Sequence, residues 1–161
     1  MNNQTVLVKE AASGRVSLSQ MLGMAKQEVE AIAVLGFQLY EQGKINDAQS
    51  IFNGLIALDS QVYYGYAGLG AMALAEEKLE EAIRWLTRAT ELNPKDPTVH
   101  ANLGEALLRH GRFNDAAVEL HTALTLDAEQ KDPGANRARA ILNGIEAVIQ
   151  NMQHAQAAGA R

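Results

Sequence analysis

The side chains best suited to metal or acid–base chemistry are four histidines, His100, His110, His121 and His154. No two stand four residues apart, and the chain has no cysteine to complete a ligand set. A helical metal site needs ligands one turn apart on a shared face, so neither a metal ion nor a cofactor is expected. The run Gly68-Leu69-Gly70-Ala71-Met72-Ala73 has the outline of a dinucleotide fingerprint. That fingerprint binds phosphate only where a strand ends and a helix begins at the glycines. Here the surrounding pattern is helical, so the missing side chains make room for a neighbouring helix or a ligand. Glu76, Glu77, Glu80 and Glu81 cluster around a turn and the start of a helix. Carboxylates are favoured at a helix N-terminus, and the same cluster would suit a basic partner. Trp85 is expected to be partly buried between helices. No Ser/His/Asp set, cysteine nucleophile or phosphate loop is present, so no catalytic residue is assigned and no enzyme is expected.

Composition narrows the alternatives. The 161 residues fit one domain, and 47% hydrophobic with 20% charged residues is globular composition. A net charge of −5 and a pI near 5.3 argue against a dedicated nucleic-acid binder. The lack of cysteine is compatible with a reducing cytoplasm. The opening MNNQTVLVKEAASGR shows no secretory pattern. The longest uncharged apolar runs, 51–58 and 62–75, fall short of the ~18–20 residues that cross a bilayer, so no direct membrane insertion is expected.

What must position any site is a repeat. Gly36, Gly70 and Gly104 recur at a spacing of 34 residues, as do Ala48, Ala82 and Ala116, and a leucine precedes each glycine (Leu35, Leu69, Leu103). A period of this length marks a helical array. Repeats are expected over about 29–62, 63–96 and 97–130, each a pair of helices. Gly43 and Gly111 end first helices, and Pro97 opens one. Asn46 or Asp47, and Asn114 or Asp115, are expected to cap second helices. Inward residues include Phe52, Leu55, Leu86, Leu120 and Ala123. Residues 1–16 are read as a mobile tail. Ser17 or Ser19 should cap a short helix with the stripe Leu18, Met21, Leu22 and Ala25, running almost directly into the first repeat. After Asp132-Pro133-Gly134, a capping helix over about 135–156 carries Ala138, Ile141, Leu142, Ile145, Val148, Ile149 and Met152; residues 157–161 should fray. One pair cannot cover its own apolar face, so the pairs must stack into a single domain over 17–156.

These residues resemble the tetratricopeptide repeat family over about 100 residues, with Leu-Gly, Ala and Pro94 carrying the likeness. Ile32 and His100 stand where an early aromatic is usual. A narrower similarity is to the class II chaperones of bacterial type III secretion. It rests on Leu39-Tyr40-Glu41-Gln42-Gly43-Lys44, on Asp47-Ala48 and Phe52, and on Leu58-Asp59 with Tyr63-Tyr64-Gly65-Tyr66 and Gly68-Leu69-Gly70-Ala71. The resemblance implies an all-α, right-handed superhelix of three helix pairs with an N-terminal helix and a C-terminal capping helix. It further implies a protein that holds a hydrophobic secreted client, with no nucleic acid, in a concave groove lined by the first helices. Carried over, the groove residues are Ala33, Phe37, Tyr40, Tyr64, Ala67, Ala71, Leu74, Thr98, Ala101, Glu105 and Leu108.

Leu74 and Leu108 fit core packing as well as the groove, whereas Tyr40 and Tyr64 carry hydroxyls that want water or a polar partner. Leu18, Met21 and Leu22 are candidates for a homodimer contact, which the chaperone resemblance allows. Co-chaperones that hold a C-terminal carboxylate place cations and Asn in the groove. Here Ala33, Phe37 and Ala67 stand at those positions, with only Asn102 of the expected type, so that use is rejected. The rival readings are a scaffold of a membrane-associated or secretion complex and an accessory module of an enzyme.

Overall fold

A computed structural model describes residues 16–159. Among them are eight helices and no strand: α1 (Leu18–Met21), α2 (Lys26–Glu41), α3 (Ile45–Leu58), α4 (Tyr63–Ala75), α5 (Leu79–Leu92), α6 (Pro97–Arg109), α7 (Phe113–Leu126) and α8 (Pro133–Gly159). The pairs α2/α3, α4/α5 and α6/α7 pack as hairpins, each against the next, and α8 packs against both helices of the last pair.

A size rule fixes the packing inside each hairpin. Gly36, Gly70 and Gly104 receive Phe52, Leu86 and Leu120, each 16 residues further on, and these wedges are fully buried. A Cβ on Gly36 would stand 2.8 Å from the Phe52 ring, one on Gly70 2.5 Å from Leu86, and one on Gly104 2.7 Å from Leu120. Two helices can therefore approach only where the side chain is missing. The first wedge does more. Phe52 also presses on Gly68 of α4, far inside the 3.0 Å that a Cβ would need, so one ring is gripped by two repeats. At the position equivalent to Gly68, where the preceding wedge is Leu86, the third repeat tolerates Asn102.

The turns inside the hairpins repeat too. Gly43 and Gly111 are left-handed, with φ of 75° and 86°, and the equivalent residue in the second repeat is Glu77 at φ 59°. Glutamate resists this conformation by about 1–2 kcal/mol. It is held in a rim ion pair with Arg109 at 2.8 Å. The acidic run therefore divides, with Glu76 and Glu77 in the turn and Glu80 and Glu81 in the first turn of α5.

Three expectations are corrected. Neither Asn46 nor Asp47 caps α3, and neither Asn114 nor Asp115 caps α7. Each helix begins directly after its tight turn, with Lys44 and Arg112 at the cap position and no side-chain cap. The stripe Leu18, Met21, Leu22 and Ala25 does not form one helix. α1 is a single turn boxed by Ser17 and Gln20, left-handed Gly23 (φ 67°) ends it, and Ala25 opens α2. The Asp132-Pro133-Gly134 segment is an anchor. Asp132 accepts from the Thr98 hydroxyl at 2.9 Å and caps Ala135 N–H at 2.8 Å, while a Cβ on Gly134 would strike the Thr98 backbone.

The array's two ends differ. Leu69 and Leu103 are covered by the preceding repeat, at 6% and 4% exposed, but Leu35 at the same position is 46% exposed beside Val34 at 54%. α1 packs on α3 and leaves this face open. At the other end Ala135 and Ala138 of α8 are fully buried against the last helix pair. From Asn143 to Gln156 every residue is exposed, so the helix outruns the array. Residues 1–15 and 160–161, which include most of the expected tail and the last residues of the frayed end, lie outside the described residues.

Candidate groove between the first helices

The first helices α2, α4 and α6, joined by the start of α8, enclose a groove of about 460 Å³. Its first half is apolar, with Phe37, Tyr40, Ala71 and Leu74 on α2 and α4. Phe37 is braced from behind, its ring 4.9 Å from that of the buried wedge Phe52. A rigid aromatic wall loses little freedom when a ligand arrives. The second half is polar: Thr98, Asn102, Glu105 and Arg109 from α6, and Arg137 from α8. Arg109 Nη2 meets Glu105 at 2.6 Å, Arg137 Nε meets its other oxygen at 3.1 Å, and Arg137 also donates to Asn102 Oδ1.

A second cavity, about 470 Å³, opens at the edge formed by α1, the start of α2 and the α3–α4 turn. Tyr64, Tyr63, Val29, Met24 and Val62 wall it, with Lys26 and Glu30 at its mouth. The Tyr64 hydroxyl donates to Glu30 at a long 3.5 Å. Tyr63 lies against Tyr64, ring centroids 4.2 Å apart, and donates to Asp96 Oδ2 at 2.9 Å. Burial first, then the Asp96 carboxylate, pushes the Tyr63 phenol far above its usual value, so it remains a neutral donor. Asp96 in turn caps Val99 of α6. This hydroxyl–aspartate link ties the start of α4 to the start of α6, as Thr98 and Asp132 tie α6 to α8.

The structure sorts the expected groove residues. Phe37, Tyr40, Ala71, Leu74, Thr98 and Glu105 line the main groove, and Tyr64 lines the second cavity. Ala33, Ala67 and Ala101 are corrected: at 1%, 7% and 1% exposed, they are spent on helix packing. Leu108 packs against the buried core and lines neither cavity. Leu18 and Leu22 are 46% and 64% exposed, while Met21 turns inward beside Ile56 and Leu58. Arg109 and Arg137 were not anticipated. The expectation of a groove without cationic donors therefore fails in its second half. Arg137 escaped because it comes from α8, outside the repeat period, where only a covering role was foreseen. Among the described residues no cluster of His, Asp and Glu could hold a metal, and no helix is long and apolar enough to cross a membrane.

His100, absent from either cavity, joins the last two repeats. Its side chain is 9% exposed; Nδ1 lies 2.6 Å from Glu119 Oε2 and Nε2 lies 3.2 Å from the Pro94 carbonyl. Both ring nitrogens face acceptors, a geometry that only the doubly protonated ring satisfies. The Glu119 hydrogen bond is the main reason its pKa is raised, with Pro94 adding and burial opposing.

A TPR repeat profile matches residues 70–111. The Low calcium response locus protein H of Yersinia pestis is 26% identical over 119 residues, 74% of this chain and 71% of that one. Among solved structures, PcrH of Pseudomonas aeruginosa with the chaperone binding region of PopB is 29% identical, with a TM-score of 0.61 over 73% of this chain and 97% of that one. The type III secretion chaperone SycD of Yersinia enterocolitica, with a peptide of the translocator YopD, is 26% identical, with a TM-score of 0.62 over 76% and 95%. The chain carries a tetratricopeptide repeat over residues 70–111, and its fold is a right-handed superhelix of three helix pairs between a short first helix and a long last one. Among proteins of that fold it is similar to the translocator chaperones of type III secretion.

Proposed function

We propose that this protein is a cytoplasmic chaperone that holds an extended apolar segment of a secreted, translocator-like client between its first helices, and that it catalyses no reaction. One observation carries the reading. Phe37 and Tyr40, over the buried edge of Leu74, present a braced apolar wall in a groove that no described helix covers. An exposed apolar segment in that wall is withheld from aggregation, and backbone groups of an extended chain reach the polar half. Titration of purified protein with its co-purified client tests the site. Phe37→Ala together with Tyr40→Ala should weaken binding by roughly 2 kcal/mol; unchanged affinity would show that the client sits elsewhere.

We further assign residues 17–156 to one folding unit and the open N-terminal end to self-association. Leu18 and Leu22 project there, at the end where Val34 and Leu35 are also uncovered. Sedimentation velocity should show Leu22→Asp lowering the dimer fraction; an unchanged distribution would remove this assignment. A scaffolding role is the second reading, favoured by the exposed stripe Ile145, Val148, Ile149 and Met152 on the free part of α8.

A further inference from the structure

The polar half of the groove holds two arginines around one carboxylate, and a second carboxylate, Glu41, lines the α2 side of the same pocket. Glu105, its side chain 14% exposed, sits between Arg109 and Arg137, and each of its oxygens serves one of them. Arg109 has a second partner in Glu77, a rim carboxylate 68% exposed, and a pair so wet contributes little. Among the described residues Arg137 has Glu105 as its only carboxylate partner. It spends Nε on Glu105 and one Nη2 hydrogen on Asn102, which leaves three of its five N–H donors free. Phe37, Tyr40 and Leu74 wall the same pocket. An occupant that fills it must bring apolar side chains and an acceptor within a short stretch. A guanidinium with free donors and no second carboxylate prefers an anion over a neutral acceptor.

We propose that the client segment carries an acidic side chain close to its apolar anchors, and that Arg137, with Arg109 beside it, receives that carboxylate. The proposal rests on the groove being the client site. It makes Arg137 a specificity-determining residue and gives the bound segment a direction, apolar side chains toward α2 and carboxylate toward α8. A salt-sensitive component of binding follows.

The test uses the full chain and fluorescent short peptides, acetylated and amidated so that no chain end carries charge. Fixed leucines supply the anchors. One glutamate is moved along the remaining positions, each peptide beside its glutamine twin. At one register the glutamate peptide should bind about fivefold or more tighter than its twin, a difference near 1 kcal/mol. Arg137→Met should erase that ratio, whatever it does to the affinity of the glutamine peptide. Arg137→Lys, which keeps the charge, should retain part of it, and circular dichroism melts verify that both variants fold. Equal binding of the twins at every register, or a ratio that survives Arg137→Met, would overturn the proposal and leave the groove reading standing. A glutamine peptide made with its C-terminus free that gains affinity where no glutamate peptide does would overturn it in favour of chain-end capture. Failure of every peptide to bind the wild type would remove the groove reading and this inference together.

Discussion

The junction between the first and second repeats and the junction between the second and third solve the same packing problem by different means. At the first, shape does the work. Phe52 is inserted between Gly36 and Gly68, two helices of successive repeats, with Phe37 against its ring. At the second, the wedge is the smaller Leu86, Asn102 replaces the glycine, and polar links take over. His100 joins Pro94 to Glu119, and Tyr63 joins Asp96. A repeat array needs each neighbour interface to be strong enough for the whole to melt together. An apolar wedge is indifferent to pH and sensitive to volume, and a charged hydrogen bond is the reverse.

Removing the wedge has the largest expected effect. Phe52→Ala should cost about 3–5 kcal/mol in urea unfolding, because the cavity opens in two repeats at once. Copying the second junction into the first, as Gly68→Asn, should cost about 1–3 kcal/mol by overpacking. Adding Phe52→Leu should recover at least about 1 kcal/mol of that loss relative to additivity. Strictly additive effects would mean that Phe52 and Gly68 are not matched to each other.

The smallest effect separates the junctions by pH. The folded pKa of His100 is raised, so its contribution is complete below about 6.5, the ordinary histidine value, and is lost as pH rises through the raised value. Asp96 and Glu119 are the charged groups acting on it. His100→Gln should destabilise by about 1–2 kcal/mol at pH 6 and by less above neutrality, whereas the Phe52→Ala loss should be flat with pH. A pH-independent loss in His100→Gln would show that the ring is neutral and packs only.

Much of this contrast is legible in the sequence. The spacing of Gly36, Gly70 and Gly104 from Phe52, Leu86 and Leu120 is a property of the text, and so is the exchange of Gly68 for Asn102. The line of the groove along the first helices is legible for the same reason: Phe37, Ala71 and Glu105 fall in step with the repeat. What escapes is whatever leaves that step. Arg137 belongs to a helix with no counterpart in the repeats. Glu77 takes a left-handed turn that its side chain disfavours, so no propensity announces it. Ala33, Ala67 and Ala101 look like floor residues from their spacing alone, but a methyl group at a close helix contact has no surface left to offer. The start of a helix set by a tight turn, as at Ile45 and Phe113, overrides nearby Asn and Asp residues that would cap it elsewhere.

The double grip on Phe52 also bears on how such an array is inherited and rebuilt. Repeat proteins gain and lose units by duplication, and identical units stack in any order. Here the units are keyed. A copy of the second repeat placed after itself would set Leu86 against Gly68 and leave a hole. A third repeat placed directly after the first would drive Phe52 into Asn102. The order of the units is therefore keyed, and doubling or removing the second unit requires a wedge and its socket to change in the same step.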